Sequence, residues 1–190
     1  MATSRPQIGY PLKLSSGGAL TLNVIKLENH LIEQLNYNQT EASMLVDEIT
    51  SLVREDNKSV LRTAVEREAP HLVNVILQSV DPSERVRFIQ IQAGGVRGLY
   101  DIAKYHLELE TFRQVLKSVS SDDERLQLLQ MKGNFALTVL HYAAYDSATG
   151  RVKVILESVS EEMRYILLSK ENNDKWTPIH IACMFGNFEC

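Results

Sequence analysis

The sequence predicts an all-α fold in which short helices stack as repeats in a solenoid. Two landmarks support this prediction by recurring with one period. The first is a valine that ends a similar helix-like stretch at intervals of 39 and 40 residues: Val80, Val119 and Val159. The second is an apolar residue that recurs at intervals of 38, 41 and 39 residues: Leu61, Leu99, Leu140 and Ile179. A period shared by two landmarks indicates units that bury their apolar faces against their neighbours.

The N-terminal third is expected to contain a tail and a helical cap. Residues 1–19 are rich in Ser, Gly and Pro and are predicted to form a mobile tail. Residues 20–57 are predicted to be helical because apolar side chains recur every three or four residues: Val24, Leu27, Leu31 and Leu35, then Leu45, Ile49 and Leu52. We interpret this segment as a degenerate repeat that gives the array a polar outer end. A separate helical hairpin attached to the array is the alternative.

Residues 58–190 are predicted to hold the repeats, at about 58–95, 96–136 and 137–175, with a partial repeat at 176–190. Each full repeat is expected to add a short third helix. Its N-terminal caps are Asp81, Ser121 and Ser160, each followed by acidic first-turn residues. The partial repeat lacks a second helix, so we expect the chain to be a fragment. Between repeats we expect Leu140, Ala143, Ile155 and Leu156 to be buried.

One short motif identifies the type of repeat. Residues 177–182, TPIHIA, resemble the ankyrin signature TPLHxA, and residues 138–144, TVLHYAA, follow it with Val139 in place of proline. Residues 59–64 and 97–103 are degenerate versions. The chain thus resembles ankyrin-repeat proteins, although its period of 38 to 41 residues exceeds the usual value of about 33. In this motif the histidine has donor and acceptor groups for the turn, so we interpret it as structural.

Composition narrows the classes of partner and compartment. The 190-residue chain has a formal net charge of −4, which argues against nucleic acid or an anionic membrane as partner. No apolar run approaches the ~18 residues of a membrane span, and the N-terminus lacks the apolar stretch of a secretory signal. The two cysteines, Cys183 and Cys190, lie too close together to form a disulfide framework. We expect a cytoplasmic monomer, with the nucleus as a second possible location.

One glycine-rich segment resembles a catalytic loop. Residues 89–99, IQIQAGGVRGL, resemble the oxyanion loop of patatin-like lipases, which follows a strand. Such an enzyme also needs a serine on a G-x-S-x-G elbow, and this chain has no such motif. We therefore expect no enzymatic activity.

A metal site or a reactive thiol in this chain would have to come from the histidines, the cysteines or the acidic runs. His180 and Cys183 lie three residues apart on one predicted helix, but Cys183 replaces a packed alanine and has no third ligand nearby. The acidic runs at 122–124 and 161–162 lack the spacing of a calcium loop. The remaining histidines outside the signature are expected to be isolated and exposed: His30, His71 and His106. We expect no metal and no cofactor.

The resemblance implies a protein partner bound by loop tips and by the concave helices. The residue before each signature threonine is expected at a loop tip, and the residues after each alanine pair are expected on the concave face. Aromatic side chains dominate interface hot spots. The predicted partner-binding residues are Val96, Leu137, Trp176, Tyr142, Tyr145, Tyr105, Met184 and Phe185. Two alternatives stay open: a regulatory arm of an enzyme whose catalytic domain lies outside this chain, and an array that only spaces other domains.

Overall fold

The computed structural model describes residues 10–15, 20–55, 60–92 and 109–189, and they form a helical array that begins with a β-hairpin. Strands β1 (Leu12–Leu14) and β2 (Leu20–Leu22) pair antiparallel. Leu12 is buried, and its N–H donates to the Ser79 carbonyl over 3.2 Å. The predicted mobile tail is therefore wrong for residues 10–15. Leucines at alternate positions of both strands, LKL and LTL, are the pattern that indicates β-structure, although the Ser- and Gly-rich composition of residues 1–19 suggested a mobile segment.

Eleven α-helices follow the hairpin within the described residues. They alternate with short loops, and most end within two or three turns. In chain order they are α1 (Val24–Glu33), α2 (Gln39–Glu55), α3 (Val60–Glu66), α4 (Pro70–Gln78), α5 (Arg85–Gln92), α6 (Leu109–Lys117), α7 (Asp122–Leu129), α8 (Val139–Tyr145), α9 (Thr149–Glu157), α10 (Glu161–Leu168) and α11 (Pro178–Met184). The prediction of an all-α repeat solenoid is confirmed, with the small hairpin as an addition.

Equivalent helices of successive repeats pack against one another in columns. The signature helices α8 and α11 form one column, and the second helices α4, α6 and α9 form another. The predicted third helices exist as α5, α7 and α10 and build a third column. Their caps are only partly as predicted. Asp81 accepts from the Ser83 N–H at 3.0 Å, but it caps the short 3₁₀ turn Pro82–Glu84 that precedes α5, and Ser121 and Ser160 make no side-chain cap bond. Acidic residues in the first turn remain at α7 and α10 and favour these helix starts electrostatically.

A single apolar core runs from the hairpin to α10. Leu140, Ala143 and Ile155 are buried as predicted, whereas Leu156 is half-buried at the edge of the core. His30 contradicts its prediction, because it is buried and its Nε2 lies 3.2 Å from the Gln78 carbonyl. A carbonyl only accepts, so this nitrogen donates. Burial lowers the pKa of His30 and keeps the ring neutral.

Arginines at the start of two third helices tie successive repeats together. Arg85 Nη1 donates to the Ser118 carbonyl over 2.7 Å, and Arg125 Nε donates to the Ser158 carbonyl over 2.8 Å. Each acceptor lies 33 residues after its arginine, directly behind α6 or α9. A guanidinium at a helix C-terminus satisfies an orphan carbonyl and opposes the negative end of the helix dipole. These contacts fix how far each second helix lies from the preceding third helix.

Candidate functional site

The loops before α8 and α11 fold back on themselves and contact each other. Their ends are closed by N–H donation from Gly133 to the Leu137 carbonyl, at 2.8 Å, and from Asn172 to the Trp176 carbonyl, at 2.9 Å. Between the loops, the Asn173 N–H donates to the Phe135 carbonyl over 3.0 Å. Adjacent loops are therefore held together by main-chain hydrogen bonds.

The tip of the first loop is Phe135, which the sequence analysis did not identify. Phe135 and Ala136 have φ angles of 56° and 57°, in the left-handed region, and the Phe135 side chain is 71% exposed. Leu137, predicted at the tip, is half-buried one residue after the turn. The available signal for the turn was the Gly133-Asn134 pair.

The signature histidine of α8 connects its own loop to the next one. The Thr138 N–H donates to His141 Nδ1 over 3.2 Å, so the ring proton is on Nε2, which donates to the Trp176 carbonyl over 3.0 Å. Burial lowers the pKa of His141, so the neutral ring is favoured. His180 makes the same contact with Thr177, at 3.1 Å, although it is exposed. The structural interpretation of the signature histidines agrees with these contacts.

Three ring side chains at the ends of α8 and α11 form an aromatic cluster: Tyr142, Tyr145 and Phe185. The rings of Tyr145 and Phe185 meet edge to face with centroids 4.6 Å apart, and those of Tyr142 and Tyr145 are 6.2 Å apart. Tyr145 and Phe185 remain 50% and 48% exposed. Asn187 fixes the two helix ends, because its Nδ2 donates to the carbonyls of Ala144 and Tyr145 over 2.8 and 2.9 Å.

Of the other predicted partner-binding residues, Met184 precedes Phe185 at the C-terminal end of α11, and Trp176 precedes the N-cap of that helix. Met184 and Trp176 are exposed, the former more fully. Val96 and Tyr105 lie outside the described residues. The structure thus places the Tyr145 ring next to both Tyr142 and Phe185.

Cys183 does not take the packed position expected for it. It is exposed, whereas the equivalent Ala144 is buried in a small cluster with Ile181 and Ala182 of α11. The difference arises because α11 covers α8, while no described helix covers the corresponding side of α11. Within the described ranges, no group of three or more His, Cys, Asp or Glu side chains is placed to hold a metal ion.

The part of the lipase-like segment that the structure describes is helical. Residues 89–92, at the start of the lipase-like segment, lie in α5, whereas an oxyanion loop of that kind follows a strand. Residues 93–99 lie outside the described part of the chain.

Of the helices that the structure describes, none combines the length and apolar character needed to cross a membrane.

The C-terminal part of the chain matches a known family of repeats. Residues 140–190 match the family model described as ankyrin repeats (many copies). That range contains almost all of α8 and the whole of α9, α10 and α11, and therefore the aromatic cluster. No curated protein matches the chain.

Proposed function

Because the chain is an ankyrin-repeat protein, we propose that it binds another protein through an aromatic surface on its last two signature helices. This surface consists of the aromatic cluster together with Trp176 and Met184. Ankyrin repeats are generally protein-interaction modules and are typically non-catalytic. The proposal accordingly includes the absence of catalytic activity, a monomeric state, and a location in the cytoplasm or nucleus.

The observation that carries the proposal is the edge-to-face contact of Tyr145 and Phe185 while both rings stay half exposed. Aromatic side chains contribute much of the binding energy at protein interfaces because they bury a large area with few rotatable bonds. Here the rings are already ordered by each other, and Asn187 holds the backbone beneath them. An ordered surface loses little conformational entropy on binding.

Hydrogen bonds within and between the loops hold the Trp176 backbone at the N-terminal end of α11. Its carbonyl accepts from both His141 Nε2 and the Asn172 N–H, and its own N–H donates to Asn172 Oδ1 over 2.9 Å. The indole is 37% exposed, so a partner has access to part of the ring. A tryptophan on a fixed backbone is a favourable anchor for a protein interface.

The test combines capture with mutation. The purified chain is immobilised, partners are captured from an extract of the producing cells, and affinities for each identified partner are measured with purified proteins. The double mutant Tyr145→Ala/Phe185→Ala is expected to weaken binding by about tenfold or more, which is ~1.4 kcal/mol. Ile25→Ala is the matched control, since Ile25 is an exposed apolar residue on α1.

The control is expected to bind as the parent chain does. A double mutant that melts like the parent and binds with unchanged affinity would place the interaction surface elsewhere on the molecule. Ester turnover by the purified chain would contradict the non-catalytic part of the proposal.

A further inference from the structure

A second surface, the lysine cleft, is formed by α10 and by the loops that precede α8 and α11. It is an open cleft of about 590 Å³. Its lining includes Lys132, Lys170 and Lys175 together with Tyr165 and Ile166. None of these residues belongs to the aromatic surface.

Two of the three ammonium groups are held by neutral oxygens. Lys132 Nζ donates to the Glu171 main-chain carbonyl over 3.4 Å, and Lys170 Nζ donates to Gln130 Oε1 over 3.0 Å. Only Lys175 faces a carboxylate, with its Nζ 3.5 Å from Glu171 Oε2. In the part of the chain that the structure describes, no carboxylate forms a salt bridge with Lys132 or Lys170. A neutral acceptor positions an ammonium without cancelling its charge.

The cleft is therefore locally positive on a chain whose formal net charge is −4. The charge of Lys132 also reaches the neighbouring His141, where it adds to burial in lowering the pKa of the imidazole. Charged surfaces of one sign attract and orient partners of the other sign. The cleft combines this charge with exposed apolar surface, because Tyr165 and Ile166 are 76% and 40% exposed.

We propose that the lysine cleft binds an acidic segment of a protein partner. Carboxylates of the segment pair with Lys132 and Lys170, and an apolar side chain between them packs on Tyr165 and Ile166. A segment with isolated carboxylates and no apolar residue would leave the apolar part of the cleft uncovered. That the occupant is a protein rests on the proposed function, whereas the preference for carboxylates follows from the charges of the cleft.

The probe is a fluorescein-labelled peptide with two copies of the sequence EELEE, and its binding to the full chain is followed by fluorescence anisotropy. The corresponding QQLQQ peptide is the neutral control. Lys132→Gln/Lys170→Gln removes both uncompensated charges and is expected to weaken binding about tenfold. Lys117→Gln/Lys153→Gln removes the same charge from exposed lysines of α6 and α9 and is expected to bind as the parent does.

Binding by the parent that falls with added salt and is lost only in the cleft variant supports the proposal. Absent binding, equal loss in both variants, or equal affinity for QQLQQ overturns it. Displacement of the peptide by equimolar inorganic phosphate also overturns it, because the site would then be one for a free anion. The Tyr145→Ala/Phe185→Ala variant is expected to bind the peptide normally, so failure of the aromatic surface and failure of the cleft are separate results.

Discussion

A swap of residues between two equivalent turns tests how the repeat backbone is stabilised. Ser147 and Gly186 occupy the same turn after consecutive signature helices, and their φ angles are 52° and 71°. A left-handed conformation costs a non-glycine residue ~1–2 kcal/mol. Replacing that residue by glycine removes this cost, but ~0.4–1 kcal/mol of the gain is lost because glycine raises the conformational entropy of the unfolded chain. Ser147→Gly is therefore expected to raise the free energy of unfolding by ~0.5–1 kcal/mol.

Gly186→Ser is expected to lower it by a similar amount. A Cβ at this position would meet only the Phe188 ring, at 3.9 Å, which is an ordinary contact. The loss would thus come from the backbone conformation. Backbone strain is the common cause, so the two changes should be opposite in sign and comparable in size.

Urea unfolding of the full chain measures both effects as shifts of the midpoint at a constant slope. In thermal melts a change of 1 kcal/mol corresponds to ~2–4 °C for a chain of this size. Ser120→Gly is the control, because Ser120 is an exposed loop serine that is not among the positive-φ residues. A lower midpoint for Ser147→Gly, or an equal gain for Ser120→Gly, would refute the backbone argument.

Three further predictions concern the core, the arginine contacts and pH. Leu140→Ala removes a side chain that is 1% exposed and should destabilise by ~2–5 kcal/mol; an unchanged urea midpoint would contradict its burial. Arg125→Met leaves the Ser158 carbonyl without its donor and should destabilise by ~1–3 kcal/mol, whereas Arg113→Met, which removes an exposed ion pair, should change unfolding by less than ~1 kcal/mol. Burial lowers the pKa of His141 below 6.5, so the unfolded chain binds the proton more readily and the free energy of unfolding should fall as the pH drops below 6.5. In His141→Gln this fall should be shallower, and equal slopes of the free energy of unfolding against pH would argue against a neutral buried ring.

The repeating parts of this molecule were predictable because they rest on local, periodic signals. A valine or proline after a threonine starts the signature helices α8 and α11, and acidic first-turn residues mark the starts of the third helices α7 and α10. His30 could not be placed in this way, since its hydrogen-bond acceptor is the Gln78 carbonyl at the end of α4, 48 residues further along the chain. Cys183 has the signature position of a packed alanine, yet it is exposed, because burial at this position depends on packing between helices and not on the motif alone.

The same distinction applies to the candidate surfaces. Tyr145 and Phe185 were predicted from their register after equivalent alanines, and Tyr142 from its place one residue after the signature histidine; the structure places the Tyr145 ring next to the other two. Phe135 was missed, since the turn that displays it uses Phe and Ala where glycine or asparagine would ordinarily signal a left-handed backbone. The lysine cleft was missed because its three cations come from two loops and meet only after the repeats stack.

The polar contacts between repeats affect which substitutions the chain tolerates during evolution. In three of these contacts the donors are the side chains of Arg85, Arg125 and His141, and the acceptor in each is a main-chain carbonyl. A carbonyl is present whichever amino acid occupies the position. The receiving repeat can therefore substitute its residues freely at these points without a compensating change in the donor. A duplicated copy of one repeat would find its hydrogen-bond acceptors already in place, so arrays of this type can lengthen by gene duplication before their sequences diverge.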